Sequence, residues 1–456
     1  MRISGLGWRS FWLLLLAGGT WASAQANPPA GGAAGQIVLR STALGPMPGN
    51  INELSITPDG QHIAVEGNSG SRLTVFIDGN EGPAYGSIVQ MPSLGQGAAP
   101  RLLMISPDQT RYAYVATKRP GETVMVVNQK ESPVFESIYG AFFSPVGHRL
   151  AYIVQKGNKK FVVVDSTVSP AYQQLSQARF SGDGKHFGYI VMSDEKVATW
   201  RAVIDGKVGP GYSNVSKLEM GPTGRFAYVA NIGSSLTPLE RQSHANDPQM
   251  GDHMVVDGQV GPTYAMFQPA VFSADGNHVA YIAMTSKSKW VAVIDGQVGP
   301  EFDQMGIPVF SPDGKHVVYT ATGATVGVPT SNYAVVDGQK SIDYTGVGSY
   351  VYSPDSQRLA YVATSSNHKA VVVLDGKEGD PYDSITLTPT AFSPDSKRLA
   401  YIADAPHAKM CLVLDGKAGP PLQSIDPRSL QFTPDSQHCR FKVGMSADAS
   451  FYDWDD

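Results

Sequence analysis

The chain has 456 residues, 42% of them hydrophobic and 16% charged, and a formal net charge of −5. No basic block runs along it, which excludes the electrostatic footprint of a nucleic-acid binder. Its 48 glycines and 32 prolines are the punctuation of a turn-rich β protein, not of a helical bundle.

The first element is a leader. "MRISGLGWR" carries two arginines, "SFWLLLLAGG" is a short apolar core, and "ASA" (22–24) offers small residues for cleavage. The apolar run is well short of the roughly 20 residues a membrane span needs. Residues 1–24 are therefore read as a signal peptide and 25–36 as a flexible mature N-terminus. The mature protein is expected to be periplasmic or secreted. No cysteine follows the cleavage point closely, so no lipid anchor is expected, and no second long apolar run calls for membrane insertion.

From residue 37 onward the chain repeats itself. "VFSPDGKHVVYTA" (309–321) returns as "VFSADGNHVAYIA" (271–283), "VYSPDSQRLAYVA" (351–363), "AFSPDSKRLAYIA" (391–403) and "SITPDGQHIAVEG" (55–67). Looser copies begin near Ile105, Phe143, Phe180, Met220 and Phe432, which brings the count to ten. A second phrase, "VAVIDGQVGPEFDQM" (291–305), recurs as 201–215, 254–267, 371–385 and 411–425, with weaker forms at 124–138 and 161–175. Seven residues after its Asp or Asn stands an aromatic: Tyr85, Phe135, Tyr172, Tyr212, Tyr264, Phe302, Tyr344 or Tyr382, with Leu422 in the ninth copy.

Each repeat reads as four antiparallel strands, a to d. In "SPDG" the Pro presets φ, the Asp bonds its own backbone, and the fourth residue takes a positive φ. "DG" in the second phrase suits a primed hairpin turn. Strands apolar on both faces must be covered on both sides. Four such strands recurring about every 40 residues predict an all-β fold, a β-propeller of about ten four-stranded blades over 37–456. Residues 438–456 end where strand c ends, and 37–51 align with 291–305, a c–d hairpin. That complementarity predicts one ring closed by the N- and C-terminal strands; the alternative is two smaller propellers in tandem. Cys411 and Cys439 sit in apolar strand patterns and read as two buried thiols, although export permits a disulfide.

The "FSPDGKxxAY" phrase resembles the WD40-like (PD40) repeat of TolB-type periplasmic propellers, over nearly all of 37–456. The resemblance implies an exported propeller. Such propellers serve in protein assemblies, in polysaccharide lyases and as peptidase gatekeepers, so it leaves function open. Two departures stand out: no room for the α/β domain that precedes the propeller in TolB-like proteins, and an added, regular "DGxxGPxY" hairpin.

Chemistry is sparse. No G-x-S-x-G elbow, H-E-x-x-H, zinc spacing, EF-hand loop or Walker loop occurs, and no cofactor or metal is expected. The repeated aspartates read as turn formers. Function is sought where the repeat breaks. "VQMPSLGQGAAPRLL" (89–103) is read as an expanded d–a connection and 231–250 as an expanded b–c connection in the fifth repeat, both on the face opposite the Asp turns. Trp200 and Trp290 stand five residues before the hairpin Asp in the fourth and sixth repeats, flanking that insert. With Glu240, Arg241, His244 and Asp247 they form the candidate ligand site. The expected function is a monomeric exported scaffold binding a protein or envelope polysaccharide. The alternative is a carbohydrate-active enzyme, a lyase or hydrolase, with an acid–base set drawn from His244, Asp247, Asp252 and His253.

Overall fold

A computed structural model describes residues 12–17, 20–27, 38–46, 51–56, 63–89, 103–193, 199–233, 251–325, 328–405, 409–444 and 450–454. Every described element is a strand, turn or bend, with no helix among the described residues. The chain divides into two compact units, Met1–Val208 and Gly209–Asp456.

Within the first unit lie four antiparallel repeat sheets, spanning 51–81, 87–131, 137–168 and 174–208. The second unit holds six, spanning 214–264, 266–298, 304–340, 346–378, 385–418 and 425–454. Nine have the strand order a-b-c-d, and the tenth has a, b and c only. These sheets are the blades of a β-propeller architecture, in the number and order that the repeats predict.

Strand d is a stub. In the sixth sheet it pairs only Val293↔Val298 and Ile294↔Gln297, then touches strand c once more at Trp290↔Phe302. The fifth sheet differs. Its strand d runs Gln259–Tyr264, pairing Asp252↔Tyr264 and His253↔Thr263 at the far end of strand c.

The hydrophobic core lies between sheets and not within them. One cluster joins Val115 and Met125 of the second sheet to Tyr152 and Val163 of the third. Another joins Met254 of the fifth to Tyr281 and Val293 of the sixth, and a third joins Cys439 and Phe441 of the tenth to Leu412 of the ninth. The regular aromatic of the hairpin is part of this cement. Tyr85, Phe135 and Tyr172 each meet the strand-b tyrosine of the following sheet, Tyr114, Tyr152 and Tyr189, edge to face at 6.2, 6.5 and 6.2 Å.

Two expectations change here. Residues 38–46 form a single strand, Val38–Pro46, bonded along its length to Thr20–Asn27, which pairs in turn with Trp12–Ala17. The c–d hairpin expected from its alignment with 291–305 is not formed, and residues 12–17 and 20–27 contribute strands to this small sheet. The second change concerns 89–103. Ser87–Val89 and Met104–Ile105 both pair with the same strand b, at Val115↔Val89 and Ala113↔Met104. The insertion therefore leaves from inside strand a, not from a d–a connection. Other sheets carry a register shift in strand a, as between Ile138 and Gly140 and between Ser176 and Ala178. A bulge is a place where extra residues leave a ladder cheaply.

Both cysteines are buried thiols outside any disulfide, Cys411 against the eighth and ninth sheets and Cys439 against the ninth and tenth.

Candidate functional site

The two ends of the blades differ in how fully their polar groups are engaged. At the Asp-turn end, Ser311 Oγ donates to Asp313 Oδ1 at 2.6 Å and accepts from His316 N at 3.0 Å, while Lys315 N donates to the same carboxylate at 3.1 Å. Gly314 has φ +77°, and a Cβ there would stand 2.8 Å from Asp275 Oδ1 of the preceding turn. Where the residue is Ser, its hydroxyl repairs the strain across the joint. Ser356, at φ 66°, accepts from Asp313 N at 2.9 Å, and Ser396 and Ser436 accept likewise from Asp355 N and Asp395 N.

The hairpin aspartates work as clasps. Asp375, at φ 51°, accepts from Leu359 N and from Arg358 Nε, each at 3.0 Å, tying the c–d turn to the start of strand b. Arg358 Nη1 then donates to the Lys397 carbonyl of the next sheet at 2.8 Å. Arg225 and Arg398 repeat this stitch onto Asn277 O and Gln437 O, and Arg149 onto Lys185 O. In three other repeats a histidine stands there: His186, His278 and His316 each hold the hairpin Asp at 2.7 Å. The array is turn chemistry throughout. Among the described residues, no cluster of three or more His, Cys, Asp or Glu side chains is arranged to hold a metal ion.

These turns are acid-sensitive. Bonds from Ser311 and from Lys315 N hold the Asp313 carboxyl down at about 2, against an ordinary 3.8. Asp275, Asp355, Asp395 and Asp435 are lowered for the same reason, a hydroxyl bond first and a backbone N–H second. A carboxyl with a lowered folded pKa stabilises the fold above its unfolded value and loses that contribution as pH falls through the folded one. Melting temperature is therefore expected to be level above about pH 5 and to fall between about pH 4 and 2. Asp313→Ala should melt slightly lower at neutral pH, show a smaller acid decline and bind any partner normally. Thermal melts across pH check this; loss of binding with unchanged melting would make the turn a site.

At the b–c end the fourth and sixth repeats close their ladders with Met192↔Trp200 and Met284↔Trp290. Both tryptophans are half-buried, and they lie in different compact units. The fifth repeat has Asn231↔Asp252 in this place, immediately before the long connection. Asn231 Nδ2 donates to Asp252 Oδ1 at 2.6 Å. Next to it His253, only 3% exposed, replaces the valine of the sixth repeat, with Nδ1 at 2.8 Å from Gly261 O and Nε2 at 3.3 Å from Thr263 Oγ1. The sequence reading gave His253 a share in an acid–base set; the structure makes it a buried strut for the lengthened strand d.

Strand c, the long strand d and the b–c turn of the sixth sheet enclose an open cleft of about 570 Å³ in the second unit. Asn231, Asp252, Thr263, Tyr264, Thr285 and Ser286 line it. The chain enters beside it at Gly251, whose φ of 124° suits glycine and where a Cβ would meet Thr263 Cγ2 at 2.8 Å. Glu240, Arg241, His244 and Asp247 lie outside the described residues, in the connection this cleft adjoins. What the sequence reading missed is Asn231 and its pairing with Asp252, which it named only for the acid–base alternative. Comparing the repeats five residues before the hairpin Asp exposes Asp252, because a carboxylate there stands between two tryptophans.

No family model matches the chain, and no curated protein matches it. Among solved structures, Kuenenia stuttgartiensis hydrazine synthase is similar at 13% identity over 68% of this chain and 93% of that one, with a TM-score of 0.22. The β-propeller domain of the trilobed protease from Pyrococcus furiosus, of open velcro topology, is similar at 15% identity over 60% and 93%, with a TM-score of 0.27. Likenesses of this size carry no argument, and the blade architecture rests on the ladders themselves.

Proposed function

We propose that this chain is an exported binding scaffold, a propeller of the TolB-type WD40-like kind, that holds a protein or cell-envelope polymer on its b–c side around the fifth and sixth sheets. One observation carries the reading. The Asp-turn end is uniform and its side chains are spent on joints, whereas the b–c end of the fifth repeat breaks the pattern with a polar pair, a lengthened strand d and an open cleft. Discrimination between ligands needs such difference. The leader at 1–24 supports export to the periplasm or beyond, and the absence of basic blocks argues against nucleic acid. An enzyme on the same face is the weaker reading, since His253 is buried and bonded through both ring nitrogens.

The test places a photo-crosslinking residue at Ser286, and separately at Lys315 on the Asp-turn side, in protein exported by the source organism. Adducts are expected from 286 and not from 315. Replacing 234–250 by a tight turn should abolish them without lowering the melting temperature. Adducts from 315 alone, or undiminished capture by the shortened chain, overturn the reading.

A further inference from the structure

We propose that the cleft between the fifth and sixth sheets is a subsite for a neutral sugar residue of a glycan. The inference deepens the b–c reading above and rests on it.

The volume is the first argument. About 570 Å³ falls within the roughly 300–1,000 Å³ of small-ligand sites and leaves room for more than one pyranose ring. The second is the kind of hydrogen bonding on offer. Thr263, Thr285 and Ser286 present hydroxyls that donate and accept, while the Asn231 carboxamide, buried at its oxygen, is spent on orienting Asp252. A sugar presents adjacent hydroxyls of the same dual character, so a wall of donor-acceptors matches it in a way that a wall of pure donors or pure acceptors does not. Asp252 adds a fixed acceptor. Its Oδ1 is held by Asn231 Nδ2, and no bond to Oδ2 is made among the described residues. A carboxylate whose one oxygen is anchored presents the other at a fixed angle to a ligand hydroxyl.

Charge gives the third argument. Asp252 is the only charged side chain lining the cleft among the described residues. A phosphate, sulfate or uronate would meet that carboxylate, and like charges in one cleft disfavour anionic ligands. Tyr264 also lines the cleft, its ring packed edge to face against buried Phe267 at 5.6 Å, so the floor of the cleft is held by the core between the two sheets. The Asp-turn end offers a different lining. The cleft between the eighth and ninth sheets is lined by Arg358, Asp375, Lys377, Glu378, Lys397 and Asp415, charged residues already engaged in clasps or exposed to water.

The experiment uses the full mature chain. It is screened against neutral oligosaccharides (β-1,4-glucan, β-1,4-xylan, α-1,4-glucan and chitin hexamers) and anionic ones (hyaluronan and heparin fragments). The best binder is then titrated by calorimetry. A neutral oligomer should bind saturably and the anionic ones should not. The double variant Thr285→Val with Ser286→Ala should weaken binding by about tenfold or more, the loss of one to two hydrogen bonds, with unchanged melting. Asp252→Asn, which trades a charged acceptor for a neutral one, should weaken neutral binding by roughly tenfold and admit the anionic fragments. No binding of any neutral oligomer, equal binding by the double variant, or preference for anionic fragments overturns the proposal. If crosslinking from Ser286 captures a protein while no glycan binds, the b–c reading stands and the sugar subsite falls; if neither occurs, both fall.

Discussion

Tyr189→Ala is expected to destabilise the first compact unit by about 3–5 kcal/mol, the cost of removing a large buried aromatic from a packed site. Tyr189 is 5% exposed, and its ring lies 6.2 Å from Tyr172 and 5.8 Å from Phe187 in a cluster that also takes Ala151 and Val162 from the neighbouring sheet. Removing it opens a cavity in the joint between the third and fourth sheets, where the two share one buried cluster. Tyr189→Phe keeps the ring and loses only a hydroxyl beside Ser169, so about 1 kcal/mol is expected. Denaturant midpoints separate the two. An alanine variant that unfolds with wild type would show that the joints do not hold the fold.

The second large effect is expected at a clasp. Asp375→Ala removes the acceptor for Leu359 N and Arg358 Nε together and leaves alanine in a left-handed conformation. A cost of about 3 kcal/mol follows from those losses combined. Asp375→Asn keeps one acceptor and tolerates positive φ, so about 1 kcal/mol is expected. Amide exchange at Leu359 supplies an independent readout, since its N–H loses protection in the alanine variant and keeps it in the asparagine one. Equal exchange in all three proteins would mean that the carboxylate is ornamental.

What the sequence made legible follows from the range of the interactions involved. The Asp turns bond within a few residues, so "SPDG" and "DG" carry their own geometry, and the missing fourth strand of the last sheet could be counted. The position of the 89–103 insertion could not. The pieces of strand a on either side of it are three and two residues long, too short to carry a period-two pattern. The alternation of Gly314 with Ser356 also looked neutral in one dimension. Its reason lies in the preceding turn, about 40 residues away, which the fourth position either abuts or bonds. The candidate site was half legible. The break in the repeat pointed to the connection beside the cleft and to Asp252 at its end, but Asn231, whose amide orients that carboxylate, lies in an ordinary strand b and gave no signal.

The arginine stitches have one further property. Arg149, Arg225, Arg358 and Arg398 each reach a main-chain carbonyl of the next sheet, at Lys185, Asn277, Lys397 and Gln437. The acceptor is a group every residue carries, so the joint makes no demand on the identity of its neighbour. A gene segment encoding one blade could be duplicated, lost or moved, and its new neighbour would already offer the matching oxygen. Ancestry by copying leaves chains of this kind: many blades, free drift at the positions receiving the stitch, and novelty confined to the connection where a copy has been lengthened.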